Sequence, residues 1–127
     1  MPNKNNKIPR YVADWTYKYF HQSAFDVPLN FPNKRVVNFL TQFRKNGKIK
    51  LYRGENKYNK ENYTGIKSWT YNRKIAARYA DEIGGKIISK MLDAKKILLD
   101  TTLLNEQERF LLGYDYKVND EEVLIIT

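Results

Sequence analysis

Three short segments with the pattern of β-strands, each carrying polar side chains at one end, constrain the fold of this 127-residue chain most strongly. They read KIKLYRG, IKSWTY and EEVLIIT. The first two alternate their side chains with the period of two that a strand requires, and the third is an apolar run typical of a buried strand. We therefore expect a sheet in which polar groups collect where these strands end.

The rest of the chain predicts an α+β domain. Asn33 suits a helix N-cap and Gly47 a helix stop, so the segment between them is predicted as a helix. Other helices are predicted after Asn72 and in LLNEQERFLLG, and other strands in KIISKML and KKILLD. Helices early and strands later favour a mainly antiparallel sheet. Within one domain we expect a flexible arm at 1–10, a helical part at 11–47 and a sheet-rich part at 48–127.

Composition excludes several kinds of site. The chain has no cysteine and one histidine, His21, which argues against a disulfide framework and a metal site. It has no signal-peptide pattern and no apolar run of about 20 residues, so we expect a soluble cytoplasmic monomer without a membrane partner. Its net charge of +9 predicts attraction to an anionic partner. Abundant Lys, Asn and Ile suggest a phage or low-GC bacterium, and hence the host cytoplasm if the source is viral.

The polar side chains at the three strand ends form a coherent chemical set. A guanidinium suits a diphosphate, and hydroxyls can hold a ribose or orient a carboxylate. A carboxylate beside a sugar carbon stabilises the cation that develops as a glycosidic bond breaks. This set predicts cleavage of the N-glycosidic bond of a nucleotide. Its members are Arg53, Ser68 with Thr70, and Asp120 with Glu122, while alternation points Glu121 away.

Three motifs carry a family resemblance. LYRG, KSWTYN followed by an Ala-rich helix, and DEEVLI resemble the Arg, Ser-x-Thr and Glu-x-Glu motifs of mono-ADP-ribosyltransferases of the Arg-Ser-Glu class. The resemblance covers roughly residues 34–127, and each motif alone is weak, but all three occur in the family's order. It implies a split, mostly antiparallel β-sandwich with N-terminal helices and an NAD-binding cleft.

The resemblance also implies roles for individual residues. Arg53 and Gly54 would bind NAD, the arginine on its phosphate and ribose side. Ser68 would orient the catalytic glutamate, and Thr70 would support the strand within the same NAD site. Glu122 would be that glutamate, which binds the nicotinamide ribose and stabilises the ribosyl cation as nicotinamide leaves.

Two further regions bear on the acceptor of the reaction. Asp120 stands where the family usually has Glu or Gln, and it is one methylene shorter than Glu, so the resemblance leaves the acceptor residue open. The segment 104–119 corresponds to the family's target-contacting loop. Its aromatic residues Phe110, Tyr114 and Tyr116 are predicted to contact the target or to pack on nicotinamide.

The sequence thus predicts an NAD-dependent mono-ADP-ribosyltransferase, a toxin or effector in phage–host conflict that uses NAD as substrate and no metal. Its target would be an acidic or nucleic-acid-associated macromolecule, with a protein preferred. Two alternatives stay open: an NAD glycohydrolase, and a non-catalytic basic domain that binds nucleic acid. The ordinary interpretations are a surface ion pair for Arg53, common strand residues for Ser68 and Thr70, and a solvated acid for Glu122.

Overall fold

The computed structural model describes residues 8–21, 29–55, 65–80, 85–114 and 120–127, and these confirm the α+β class. The longest described helix, α1, has 11 residues, and no helix in these ranges is long and apolar enough to cross a membrane. The helices are α1 Arg10–Phe20, α2 Lys34–Leu40, α3 Arg73–Ala80 and α4 Glu106–Leu111. The strands are β1 Lys48–Glu55, β2 Ile66–Thr70, β3 Lys86–Asp93, β4 Ile97–Asp100 and β5 Glu122–Ile126.

The five strands form one sheet in the order β3-β1-β2-β5-β4, with every neighbouring pair antiparallel. The β1–β3 and β2–β5 pairs run along the full length of their strands. In contrast, β1 and β2 are in register at one pair, Tyr52 with Thr70. The described strands therefore make a single sheet that is almost divided into a β3–β1 part and a β2–β5–β4 part. The resemblance implied a split sandwich instead of one sheet.

Two apolar clusters pack against the sheet, and the second of them spans its two parts. The first joins α1 and α2 to β2, β4 and β5, and the second brings Leu51 of β1 against strands of the other part. Burial of the second cluster therefore stabilises the contact between the two parts of the sheet, while the first packs the helices on the β2–β5–β4 part. The first cluster includes Val12, Tyr19, Leu40, Phe43, Leu99 and Leu124, and the second Leu51, Trp69, Ile97, Val123 and Ile125.

Helix α2 begins as predicted and ends earlier than predicted. The Asn33 side chain accepts a hydrogen bond from the Val36 N–H at 3.0 Å, which satisfies one of the unpaired donors at the helix start. The helix ends at Leu40, and beyond it the Gln42 side-chain amide donates to the Phe39 carbonyl oxygen at 2.8 Å. Gly47, with φ 82°, lies directly before β1 and outside the helix.

Helix α3 packs directly on the main chain of β1 because residue 54 has no side chain. A Cβ at Gly54 would overlap the Ala76 carbonyl oxygen and lie 2.8 Å from the Ala80 nitrogen. Glycine is therefore required at residue 54 for packing. This contact places the helix beside the strand end that carries Arg53.

Candidate active site

Ser68 and Glu122, which are 54 positions apart in the sequence, are in direct contact. The Ser68 hydroxyl donates to Glu122 Oε2 at 2.7 Å. In the β2–β5 register Thr70 lies opposite Glu122, so Ser68 and Glu122 are diagonal neighbours on one face of the sheet. Glu122 is 7% exposed, and Thr101 Oγ1 donates to its carbonyl oxygen at 2.6 Å. The first residue of β5 is thus held through both its side chain and its main chain.

The Arg53 side chain also contacts Ser68, but at the main chain of the serine. Its Nη1 donates to the Ser68 carbonyl oxygen at 2.8 Å, and its Nε donates to Glu55 Oε2 at 3.1 Å. The Tyr52–Thr70 register puts Arg53 on the other face of the sheet from the Ser68 hydroxyl. The guanidinium therefore meets Ser68 through its main chain, at the opening between β1 and β2. Strand alternation in the sequence could not show this opening.

Glu55 completes an ion pair that the sequence analysis did not identify. Its carboxylate lies 3.1 Å from Arg53 and 3.5 Å from Lys67 Nζ, and its side chain is 16% exposed. Burial raises the pKa of Glu55, but the hydrogen bonds and charges of Arg53 and Lys67 outweigh it and leave that pKa below its ordinary value. An acid two residues after a strand arginine shares its face, so the sequence did contain a signal for this pair.

Tyr19 of α1 is a second unforeseen member of the site. Its hydroxyl lies 2.7 Å from the Ser68 Oγ, and its side chain is 5% exposed. Burial, and then the negative charge of Glu122, raise the pKa of the Tyr19 phenol, which keeps it protonated at neutral pH. Tyr19 lies within the predicted helical part at 11–47, but nothing local in the sequence pointed to a partner 49 positions away.

Thr70 ties β2 to the residues before β5. Its hydroxyl donates to the Asp120 carbonyl oxygen at 2.7 Å and accepts from the Asn72 N–H at 3.0 Å. Asp120 itself accepts a hydrogen bond from the Tyr79 hydroxyl of α3 at 3.0 Å. These contacts bring Asp120 to the site from just before β5, with Tyr79 of α3 and Thr70 of β2 holding it on two sides.

Two predictions for the acids before β5 require correction. Glu121 was expected to point into solvent, but it is half-buried, and its Oε2 accepts from the Asn72 amide at 3.1 Å. Its φ of 49° lies in the left-handed region, and β5 begins only at Glu122. Since Asp120 precedes this kink, strand alternation does not place it on the face of Glu122. Its location follows from its contacts with Thr70 and Tyr79.

The aromatic residues predicted to contact the target differ in their exposure to solvent. Phe110 is 63% exposed on α4, so it is open to a partner. Tyr114 is 1% exposed and packs on Phe20 with ring centroids 4.6 Å apart, which makes it a core residue and not a surface for a protein target. Burial, followed by the charge of Glu122, raises the pKa of Tyr114. Tyr116 lies outside the described residues.

In the part of the chain that the structure describes, no three His, Asp or Glu side chains group as metal ligands. Comparisons with known protein families, characterised proteins and solved structures give no match. Function must therefore be inferred from the chemistry of the residues around Ser68.

Proposed function

We propose that this chain is an NAD-dependent mono-ADP-ribosyltransferase that releases nicotinamide and transfers ADP-ribose to a side chain of a protein. The observation that carries the proposal is the 2.7 Å hydrogen bond from Ser68 to Glu122. Arg53 adds to it by donating to the main chain of the same serine. Three motifs that are separate in sequence thus supply adjoining groups, in the chemical types that the resemblance to Arg-Ser-Glu enzymes requires.

The carboxylate has the properties that ribosyl transfer needs. Glu122 is 7% exposed, and an ionised group shielded from water interacts with a developing positive charge more strongly than one in bulk solvent. In this role Glu122 would stabilise the charge that appears at the ribose carbon as the bond to nicotinamide breaks. The hydrogen bond from Ser68 holds the carboxylate in place before the reaction, so little reorganisation is required.

Arg53 and Lys67 are the cations we assign to the diphosphate of NAD. Strand alternation places both on the face of the sheet opposite the Ser68 hydroxyl and Glu122, so the two ends of NAD would meet at the opening between β1 and β2. The guanidinium has a planar arrangement of donors that suits two phosphate oxygens, while the ammonium acts as a point charge. Both now contact Glu55, at 3.1 and 3.5 Å. A diphosphate would share these cations with Glu55 or displace its carboxylate.

We assign Asp120 the role of receiving a proton from the acceptor side chain of the target protein. When the ribose–nicotinamide bond breaks, its electron pair leaves with nicotinamide, and a lone pair of the acceptor forms the new bond to the ribose carbon. The acceptor must then lose a proton, which Asp120 could receive. Water in place of the acceptor side chain would give NAD hydrolysis, the alternative activity of the same site.

Labelled NAD tests the proposal directly. The purified protein is incubated with NAD carrying label in the adenylate and with cell lysate, and both protein labelling and nicotinamide release are measured. Glu122→Gln is the matched control because it keeps the size of the side chain and an acceptor for Ser68. We expect this change to lower both signals about a hundredfold or more. Equal signals from the two proteins would reject the proposal, and nicotinamide release without labelling would favour the glycohydrolase.

The basic surface at the β3–β1 edge of the sheet supports a second candidate function, binding of nucleic acid. The strand register puts Lys48 and Lys50 on one face of this edge and Lys86 and Lys90 on the other. Residues 44–50 and 86–96 carry eight exposed cations and one exposed acid, Asp93. Neutralised phosphates release counterions, so affinity should fall steeply with salt. The cations are Arg44, Lys45, Lys48, Lys50, Lys86, Lys90, Lys95 and Lys96.

Substitution within this surface separates nucleic-acid binding from the enzymatic proposal. The double change Lys48→Glu/Lys50→Glu should reduce the slope of log affinity against log salt by about 2. Lys34→Glu/Arg35→Glu on α2 is the charge-matched control. If both doubles give the same slope, nucleic acid does not bind at this surface.

A further inference from the structure

The hydrogen bonds around Ser68 have a defined direction. A serine hydroxyl has one proton, and that proton is donated to Glu122 Oε2. The Tyr19 hydroxyl lies 2.7 Å from the same Ser68 oxygen. Because Ser68 has already used its proton, Tyr19 must be the donor in this second bond. The result is a chain in which Tyr19 donates to Ser68 and Ser68 donates to Glu122.

We infer that Tyr19 is a positioning residue that holds the Glu122 carboxylate in one orientation through Ser68. Its catalytic consequence rests on the proposed ribosyl transfer, whereas its effect on the orientation of Glu122 does not. Without Tyr19 the Ser68 hydroxyl could rotate about its Cα–Cβ bond and leave the carboxylate. With Tyr19 present, the Ser68 hydroxyl oxygen is held by two 2.7 Å hydrogen bonds, one to Tyr19 and one to Glu122. Consecutive hydrogen bonds of this kind polarise and strengthen one another.

Helix α1 makes Tyr19 a fixed donor. The Tyr19 ring stacks on Trp15 with centroids 5.4 Å apart and meets Phe20 edge-on at 5.6 Å. Trp15 Nε1 also donates to the Asn30 carbonyl oxygen at 3.0 Å, which ties α1 to the chain before α2. The phenol is thus held by packing on two sides, so the N-terminal helix contributes to the site as well as to the core.

The protonation state of Tyr19 agrees with this role. Burial raises the pKa of its phenol, and the charge of Glu122 raises it further, so the hydroxyl remains a donor through the physiological range. A deprotonated tyrosine could only accept, and it would compete with Glu122 for the single proton of Ser68.

The first test measures the carboxylate and needs no enzymatic activity. Glutamate is labelled with 13C at the side-chain carboxyl, and the Glu122 resonance is identified by its loss in Glu122→Gln. At fixed pH, Tyr19→Phe should shift this resonance, as should Ser68→Ala, because each removes part of the hydrogen-bond chain. Tyr17→Phe is the matched control, since it removes a hydroxyl from the same helix on a side chain that is 50% exposed. Near-ultraviolet circular dichroism confirms that each variant is folded.

The second test measures nicotinamide release. We expect Tyr19→Phe to lower kcat about fivefold to tenfold with the KM for NAD unchanged. Tyr19→Phe should have no added effect in a Ser68→Ala background, because the tyrosine acts through the serine. A purely structural tyrosine would instead lower activity by the same factor in both backgrounds.

The outcomes separate the two proposals. If Tyr19→Phe leaves the Glu122 resonance where Tyr17→Phe leaves it, the positioning role is rejected, whether or not the protein cleaves NAD. If the resonance shifts and the parent protein releases no nicotinamide, the transferase proposal fails while the positioning of Glu122 stands. Additive losses of kcat in the double variant would reject action through Ser68.

Discussion

The Arg53 guanidinium donates to the Ser68 carbonyl oxygen at 2.8 Å, at the place where β1 separates from β2. A buried arginine side chain thus bridges an opening between two neighbouring strands. Its second contact, with Glu55 at 3.1 Å, keeps the guanidinium at that opening. Arg53 therefore contributes to the stability of the divided sheet independently of any ligand.

Replacing Arg53 by lysine should destabilise the fold. An ammonium group lacks the planar donors needed to hold the Ser68 carbonyl and the Glu55 carboxylate together. The loss of hydrogen bonds to a charged group predicts a decrease of about 1.5–3 kcal/mol in the free energy of unfolding, measured by urea denaturation. Arg78→Lys, at an exposed position of α3, should stay within about 0.5 kcal/mol of the parent. Equal values for the two variants would contradict a bridging role for Arg53.

Alanine at Gly54 should be more damaging than alanine at Gly47. The new Cβ at residue 54 meets the Ala76 carbonyl of α3, so the helix must move, at a cost of about 3 kcal/mol or more. At Gly47 the space around the Cβ is open and the cost comes from a φ of 82°, about 1–2 kcal/mol. Measuring the free energies of unfolding of both variants tests this order. A Gly54→Ala protein as stable as Gly47→Ala would mean that α3 does not rest on β1.

The free energy of unfolding should fall in acid, partly because Glu55 becomes protonated. Its pKa in the folded state lies below its ordinary value because the contacts with Arg53 and Lys67 outweigh the effect of burial. The stabilisation is therefore complete above the unfolded value of about 4.3 and is lost as pH falls below it. Urea unfolding at a series of acidic pH values should show a shallower decline for Glu55→Gln than for the parent. Parallel curves would show that this pair does not contribute.

The free energy of unfolding should also fall in alkali because three tyrosines have raised pKa values, two of them buried and one, Tyr71, half-buried. Burial is the first cause that raises the pKa of Tyr19, Tyr71 and Tyr114, and for Tyr71 the hydrogen bond to Asp100 at 2.6 Å is the second. With folded values above the unfolded value of about 10, their stabilisation is complete below that pH and is lost as pH rises further. The phenolate absorbance of these groups should thus appear together with unfolding. Tyr71→Phe should weaken the alkaline dependence of the unfolding midpoint, and an unchanged dependence would count against this explanation.

Asparagine at Asp120 should separate transfer from hydrolysis. If Asp120 receives the proton of the acceptor, Asp120→Asn should lower protein labelling about a hundredfold. Nicotinamide release should change much less, because Glu122 and its contact with Ser68 are untouched. The two rates are measured on the same samples with labelled NAD. Equal losses in both rates would instead place Asp120 in the cleavage step.

Local patterns in the sequence predicted the elements of the fold well. Alternation identified β1 and β2, and Asn33 identified the start of α2, because side-chain direction and helix capping depend on residues only a few positions apart. The same reasoning failed at residues 120–122, where the left-handed φ of Glu121 interrupts the alternation. The resemblance assigned Tyr114 to contact with the target or packing on nicotinamide, whereas the residue lies in the core against Phe20.

The sequence by itself determined which residue types stand at the strand ends, the α+β class and the antiparallel character of the sheet. The resemblance already implied that Ser68 orients Glu122. Only the tertiary structure decided that Arg53 meets the carbonyl of the same serine, and that Tyr19 and Glu55 join them. The physical reason is that strand and helix periodicity sets the direction of a side chain within its own element. Which groups from distant elements meet depends on strand order, on the opening between β1 and β2, and on the packing of α1 and α3 against the sheet.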